Sequence, residues 1–148
     1  MTQKIAVVTG SEGHIGRHIC TKLLKDRYFI YGIDRNKNTD FLTESANYKF
    51  LRINLEQEEE RNLLRGMLFH NRIDSLINNA AFVGDEKSEG WTCEFSKQSL
   101  STWRRAIEIN VTAPFHLAQL AKELLLKSEF ATIINISSIY GGLAPDFS

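Results

Sequence analysis

Three glycines, Gly10, Gly13 and Gly16, stand at G-x-x-G-x-x-G spacing in the run VVTGSEGHIGRHI. A β-branched run precedes them and an amphipathic one follows. Strand, tight turn and helix start is the order in which backbone N–H groups can receive a phosphate. Gly10 can make the turn, Gly13 lets the backbone approach a pyrophosphate, and Gly16 lets the helix pack closely on the sheet. Glycines serving only turn and packing would read the same way. Asp34 follows Gly16 by eighteen residues, near the ~20 expected of an acid that accepts hydrogen bonds from adenosine ribose hydroxyls. Such an acid repels a 2′-phosphate, so NAD is expected rather than NADP, although the adjacent Arg35 partly offsets that repulsion. A loop-opening Asp is the plain alternative.

At the other end, Ser137 and Ser138 close an apolar run, and Tyr140 lies two residues on. A serine beside a tyrosine could bind and protonate a carbonyl oxygen. The tyrosine's pKa of about 10 must first be lowered by a nearby cation. Ala144 stands four residues after Tyr140, and no Lys or Arg follows Lys127. Tyr140 is therefore not expected to be catalytic. Tyr28, Tyr31 and Tyr48 fall on expected strands, far from such a site. His14 is expected at the exposed helix start, without a catalytic role.

The elements that must position these groups follow from periodicity. Strands are expected over 4–10, 28–34, 48–55, 75–81 and 131–138, and helices over 14–27, 56–71 and 100–127. The segment 40–47 has room for a turn of helix, and 84–99 is polar without a clear period. Helix 14–27 sets Ile15, Ile19, Leu23 and Leu24 at helical spacing and gathers cations at its end. Glu56, Glu58, Glu59 and Glu60 crowd the start of helix 56–71; the macrodipole explains them more simply than a metal, and none is expected. Pro114 cannot donate to the Asn110 carbonyl, so the long helix should bend there and leave that carbonyl for another partner, or simply kink for packing. The order β-α-β-β-α-β-α-β gives an α/β fold, a doubly wound parallel sheet in one domain, 1–148.

Hydrophobic residues make up 43% of the 148 and charged residues 24%, with zero net charge. That suits a globular domain with a proper core and gives no basic excess for nucleic acid or a membrane surface. Cys20 and Cys93, far apart and outside any CxxC, read as reduced thiols. No apolar run nears the ~20 residues of a membrane span, and the N-terminal run is too short for a signal peptide. A cytoplasmic location is expected.

TGSEGHIG (9–16), Asp34, INL (53–55), NNAA (78–81), Asn110 and NISS (135–138) stand in the order found in short-chain dehydrogenases/reductases, and the chain resembles that family over nearly all its length. The resemblance implies a Rossmann fold, incomplete at the C-terminal side. It also implies hydride transfer between NAD(P) and a small carbonyl or alcohol substrate. It assigns cofactor contacts to Gly10, Gly13, Ile15, Gly16, Asp34, Asn54, Leu55, Asn79 and Ala80. Ser138, rather than Ser137, matches the serine that bonds the substrate oxygen, unless the pair only caps strand-end backbone. Asn110 matches a residue whose main-chain carbonyl holds a relay water.

There are departures. The glycine spacing looks like that of the family's extended branch, which includes nucleotide-sugar epimerases and dehydratases. Ala81 replaces a usual glycine, and Asn54 stands where an acid usually meets the adenine, though Asn can still accept and donate. IINISS and WRRAIEINVTAPF look like the main branch. SSIYGGLAPDF resembles a bacterial subset associated with surface-sugar or flagellin modification, which puts a sugar derivative among the candidate substrates. The family's catalytic tyrosine lies a dozen or more residues past the serine, with a lysine four further on. Both would fall beyond Ser148. A chain truncated before its Tyr-x-x-x-Lys segment, and inactive, is expected. Intact members are expected to form homo-oligomers, and one side of the 100–127 helix should be exposed. A non-catalytic dinucleotide-binding module and a fragment of an extended-type epimerase or dehydratase are the other readings.

Overall fold

The computed structural model describes residues 2–37, 45–84 and 89–138. Tyr140 and most of the 40–47 segment lie outside the described residues. Strands β1 (Ile5–Thr9), β2 (Phe29–Asp34), β3 (Tyr48–Arg52), β4 (Ser75–Asn78) and β5 (Thr132–Asn135) form one sheet in the order β3-β2-β1-β4-β5, all parallel. This is the expected doubly wound sheet. The chain leaves β1 toward β2 and β3, then crosses back to place β4 on the other side of β1. That reversal opens a crevice at the carboxyl ends of β1 and β4, where ligands bind in folds of this class.

Parallel strands are buried on both faces, so they read as continuous apolar runs. Every residue of β1 is buried. One face carries helix α1 (His14–Lys25), whose Cys20 packs with Val8, Ile30, Tyr48 and Ile77. The other face carries helices α2 (Glu58–Asn62), α3 (Leu64–Met67) and α5 (Ala113–Leu125). There Leu117, Leu120 and Leu125 meet Val7, Ile33 and Leu76. Each such side chain contributes about 1.5–3 kcal/mol by leaving water.

Two expected helices are divided. The 56–71 helix starts at Glu58, breaks at Leu63 and ends by Leu68. The cause of that end lies in β2: the Tyr31 hydroxyl accepts the N–H groups of Phe69 (3.0 Å) and His70 (3.2 Å) and donates to His70 Nδ1 (2.7 Å). Those bonds draw residues 69 and 70 out of a helical ladder. Burial raises the Tyr31 pKa, against the two N–H bonds, and lowers that of His70, with Arg72 adding to the latter. The 100–127 helix comprises α4 (Leu100–Ile107), a π-turn (Glu108–Thr112) and α5. Trp103, Ile107, Val111 and Phe115, four residues apart, are all exposed along it, as expected for one side of this helix. All four residues of β5 are exposed as well.

Two details of the frame are open to test. Helix α1 ends with the Tyr28 N–H on the Leu23 carbonyl and the Arg27 N–H on that of Leu24, with Arg27 at φ +64. This is a Schellman end whose left-handed position carries a Cβ. Arg27→Gly is expected to raise stability by about 1 kcal/mol in urea titrations. At the same amino end of the sheet, just before β4, Asp74 accepts bonds from Ile5 N–H (2.7 Å), Ser128 Oγ (2.6 Å) and Arg72 Nε (3.1 Å). Its burial alone would raise the carboxyl pKa; these bonds and the Arg72 charge outweigh that and hold it below the usual value. A depressed folded pKa adds stability that is complete above the ordinary carboxylate pKa and disappears as pH falls through the folded one. Asp74→Asn is expected to cost roughly 2 kcal/mol at pH 7, and the difference from wild type should shrink below about pH 3.9, measured by urea midpoints across pH.

Candidate active site

The crevice is built first by glycine. Gly10, at φ +63, turns the chain out of β1. A Cβ on it would stand 2.9 Å from Ala80 Cα and 3.0 Å from Asn79 Nδ2. Gly13 is the N-cap of α1, in extended backbone, and no side chain caps the helix there. The first N–H groups of this twelve-residue helix are therefore not taken by a capping side chain. Gly16 was expected to bring helix and sheet together. Its close neighbour is instead the loop itself: a Cβ would overlap the Gly10 carbonyl oxygen and crowd Ser11 Cα. Ile15, in the first turn of α1, is exposed.

Polar stitching then fixes the loop. Thr9 Oγ1 accepts the N–H groups of Asn79 and Ala80, both at 3.0 Å. Asn79 Nδ2 donates to the carbonyls of Thr9 (3.0 Å) and Gly10 (3.2 Å). The Asn79 side chain is thus turned toward β1, while Ala80 lines the crevice. On the β2 side, Asp34 Oδ2 accepts the Glu12 N–H at 3.1 Å and Oδ1 the Asn36 N–H at 3.3 Å. The carboxylate sits beside the glycine loop at the strand end.

Tyr48 has a task at the glycine loop that the sequence did not suggest. Its hydroxyl reaches Ser11 Oγ (3.1 Å) and Glu12 Oε1 (3.4 Å) inside the glycine loop. Its ring crosses Gly32, where a Cβ would collide with it. Burial pushes the Tyr48 pKa up, opposed by the Ser11 bond and reinforced by the charge of Glu12. The same burial, with Glu12, raises the Cys20 thiol to about 12. A glycine inside a strand marks such close approaches; Gly32 was the available signal. Tyr31 lies at the other end of β2's neighbourhood, on His70, and Tyr28 precedes β2.

Asn54 and Leu55 follow β3. Asn54 Oδ1 accepts the Glu56 N–H (3.1 Å), and its own N–H donates to Glu60 Oε2 (2.6 Å). Two of the four glutamates thus have partners beyond the macrodipole: Glu60 holds Asn54, and Glu56 pairs with Arg105 (2.7 Å). Leu55 is buried.

An open cleft of about 1070 Å³ extends from Ala80 between the end of the sheet and the π-turn. Asn110, Ser137 and Ser138 line it together with Phe82, Trp91 and Phe115. Where a bend at Pro114 was expected, the helix opens just before that residue into the π-turn, in which the Ala113 N–H bonds the Glu108 carbonyl five residues back. The Asn110 side chain has a use the sequence did not suggest: Oδ1 accepts the Phe82 N–H (2.7 Å) and Nδ2 donates to the Phe82 carbonyl (3.0 Å). Phe82 in turn meets Trp91 edge-on and lies under the Arg105 guanidinium at 5.2 Å. Among the described residues no tyrosine lines the cleft and no helix is long and apolar enough to cross a membrane.

Comparison with known proteins agrees with this architecture. The family model for short chain dehydrogenase matches residues 4–146. An acetoacetyl-CoA reductase of an Acinetobacter strain is 28% identical over 94% of this chain and 57% of its own length. Pseudomonas aeruginosa RhlG, solved as an NADP active-site complex, superposes with TM-score 0.84 at 25% identity, over 99% of this chain and 59% of that one. A Brucella ovis oxidoreductase of the short chain dehydrogenase/reductase family, with a partially ordered NAD, gives TM-score 0.82 at 19% identity over 99% of this chain and 68% of that one. The chain spans between about half and two thirds of the curated relatives it matches. With a parallel sheet, glycine turn and cleft in one arrangement, and a family match over nearly its whole length, the chain belongs to the short chain dehydrogenase family.

Proposed function

We propose that this chain is the dinucleotide-binding portion of an NAD-dependent oxidoreductase acting on a small carbonyl or alcohol substrate, a sugar derivative being one candidate. The observation that carries the reading is the Asp34 carboxylate at the tip of β2, beside the Glu12 N–H and the bare helix start at Gly13. The glycine positions fit a dinucleotide, since no capping side chain holds the α1 N–H groups that would receive a pyrophosphate. When bound, the nicotinamide ring supplies or accepts hydride. Gly10, Gly13, Ile15 and Gly16 would form the phosphate cradle. Asp34 would accept bonds from the ribose hydroxyls and disfavour a 2′-phosphate. Asn54 and Leu55 would border the adenine, with Asn79 and Ala80 beneath the cofactor. Ser138 would donate to the substrate oxygen. The Asn110 carbonyl, which Pro114 cannot engage, would hold a water in a proton relay.

The proton itself needs an acid near the substrate oxygen. Tyr31 and Tyr48 are committed to His70 and to the glycine loop, and no described tyrosine lines the cleft. Tyr140 has no lysine four residues on, so the 148-residue chain is proposed to bind cofactor without turning over. The exposed Trp103 and Ile107, outside the cleft, would serve homo-oligomer contact.

Titration calorimetry with the chain is expected to give tighter binding of NAD than of NADP, and Asp34→Ala should narrow or reverse that preference by about tenfold or more. Tighter NADP binding by wild type would refute the assignment. Steady-state assays with NAD and a secondary alcohol should show no rate above background; a saturable rate would overturn the inactive reading.

A further inference from the structure

Arg61 has one of the largest fully buried side chains in the described protein, 1% exposed, and nothing above gives it a task. Its guanidinium meets three acceptors. Nε donates to His116 Nδ1 at 3.1 Å, one terminal nitrogen donates to the Leu55 carbonyl, and the other pairs with Glu108 at 2.7 Å. Burying a guanidinium costs several kcal/mol unless its donors are satisfied. Here they are met by three separate segments: the turn after β3, the π-turn and α5. The His116 contact also fixes that ring as the tautomer with its proton on Nε2.

A second ion pair runs the opposite way. Arg105 of α4 makes a two-point bond to Glu56, at 2.7 and 3.2 Å. The β3–α2 segment thus contributes one acid and one base, Glu56 and Arg61. The helix pair returns one base and one acid, Arg105 and Glu108. Such fork-shaped pairs fix orientation as well as distance. Leu55 lies next to Asn54 at one end of the crevice. Glu108 lies two residues before Asn110 at the other, and Arg105 covers the Phe82 ring whose backbone Asn110 grips.

We infer that this crossed pair is a clamp that sets the spacing between the two ends of the dinucleotide crevice, with Arg61 and Glu108 as its principal positioning residues. The inference rests on the dinucleotide reading above and deepens it. A ligand confined to the adenine end should not sense the clamp. A ligand that spans the crevice should need both ends held at once.

The test uses the full chain with Glu108→Gln, Arg61→Met and the double variant, titrated with NAD and with AMP. Each single variant is expected to weaken NAD about tenfold, to change AMP by less than about twofold, and to cost no more in combination than alone. Amide exchange at Phe82, without ligand, should quicken in each. Glu108 is half-exposed, so Glu108→Gln carries the test if Arg61→Met does not fold. Equal losses for NAD and AMP, no loss in folded variants, or additive losses in the double variant would overturn the clamp. If wild type binds no NAD, the dinucleotide reading fails instead. Phe82 exchange then decides the clamp alone: faster exchange in Glu108→Gln supports it, and unchanged exchange overturns it.

Discussion

The site depends on how the carboxyl ends of β1 and β4 are joined. These strands are neighbours in the sheet and far apart in the chain. Their ends meet through one hydroxyl and one carboxamide. Thr9 Oγ1 takes two N–H groups of β4's continuation, and Asn79 Nδ2 returns two bonds to β1's. Because the Gly10 carbonyl is held by Asn79, it becomes a fixed surface against which Gly16 packs without a Cβ. The start of α1 is thereby aimed at the crevice. Each half-buried bond is worth only about 1 kcal/mol, but the geometry of the cradle is inherited from them.

A second layer lies under the loop. Ser11 and Glu12 are buried, and the Tyr48 hydroxyl bridges to both. A buried carboxylate is costly unless hydrogen-bonded, and Tyr48 can reach it only because Gly32 leaves the path open. Three strands therefore support one turn. β1 leads into it, β2 brackets it through Ile33 and Asp34, and β3 reaches beneath it.

How much of this was legible in the sequence depended on the range of the interaction concerned. Strand positions and the parallel order followed from apolar runs such as IAVVT and from the helical spacing of Ile15 to Leu24. Both are local signals. The glycine turn and Asp34 were legible because their spacing is set by a short unit of strand, turn and helix. The early end of the 56–71 helix was not. Nothing near Leu68 announces the helix end, since the Phe69 and His70 N–H groups go to the hydroxyl of Tyr31, more than thirty residues away. The glutamates of 56–60 were read as local dipole partners because the arginine that claims Glu56 lies forty-nine residues on. Asn110 was read for its carbonyl, from the local logic of Pro114. Its carboxamide grip on Phe82 spans twenty-eight residues and left no mark on the pattern.

The π-turn has a geometric consequence for the surface it interrupts. In a straight α-helix, side chains four residues apart advance more than one full turn, because a turn holds 3.6 residues. A row repeated at that interval winds slowly around the cylinder. Trp103, Ile107, Val111 and Phe115 keep that interval and yet all remain exposed. Between Glu108 and Thr112 the backbone is wound more loosely, which takes up part of the drift. The same slackening straightens an apolar seam that starts on the open surface at Trp103 and runs, through Val111 and Phe115, into the wall of the cleft that Asn110 lines.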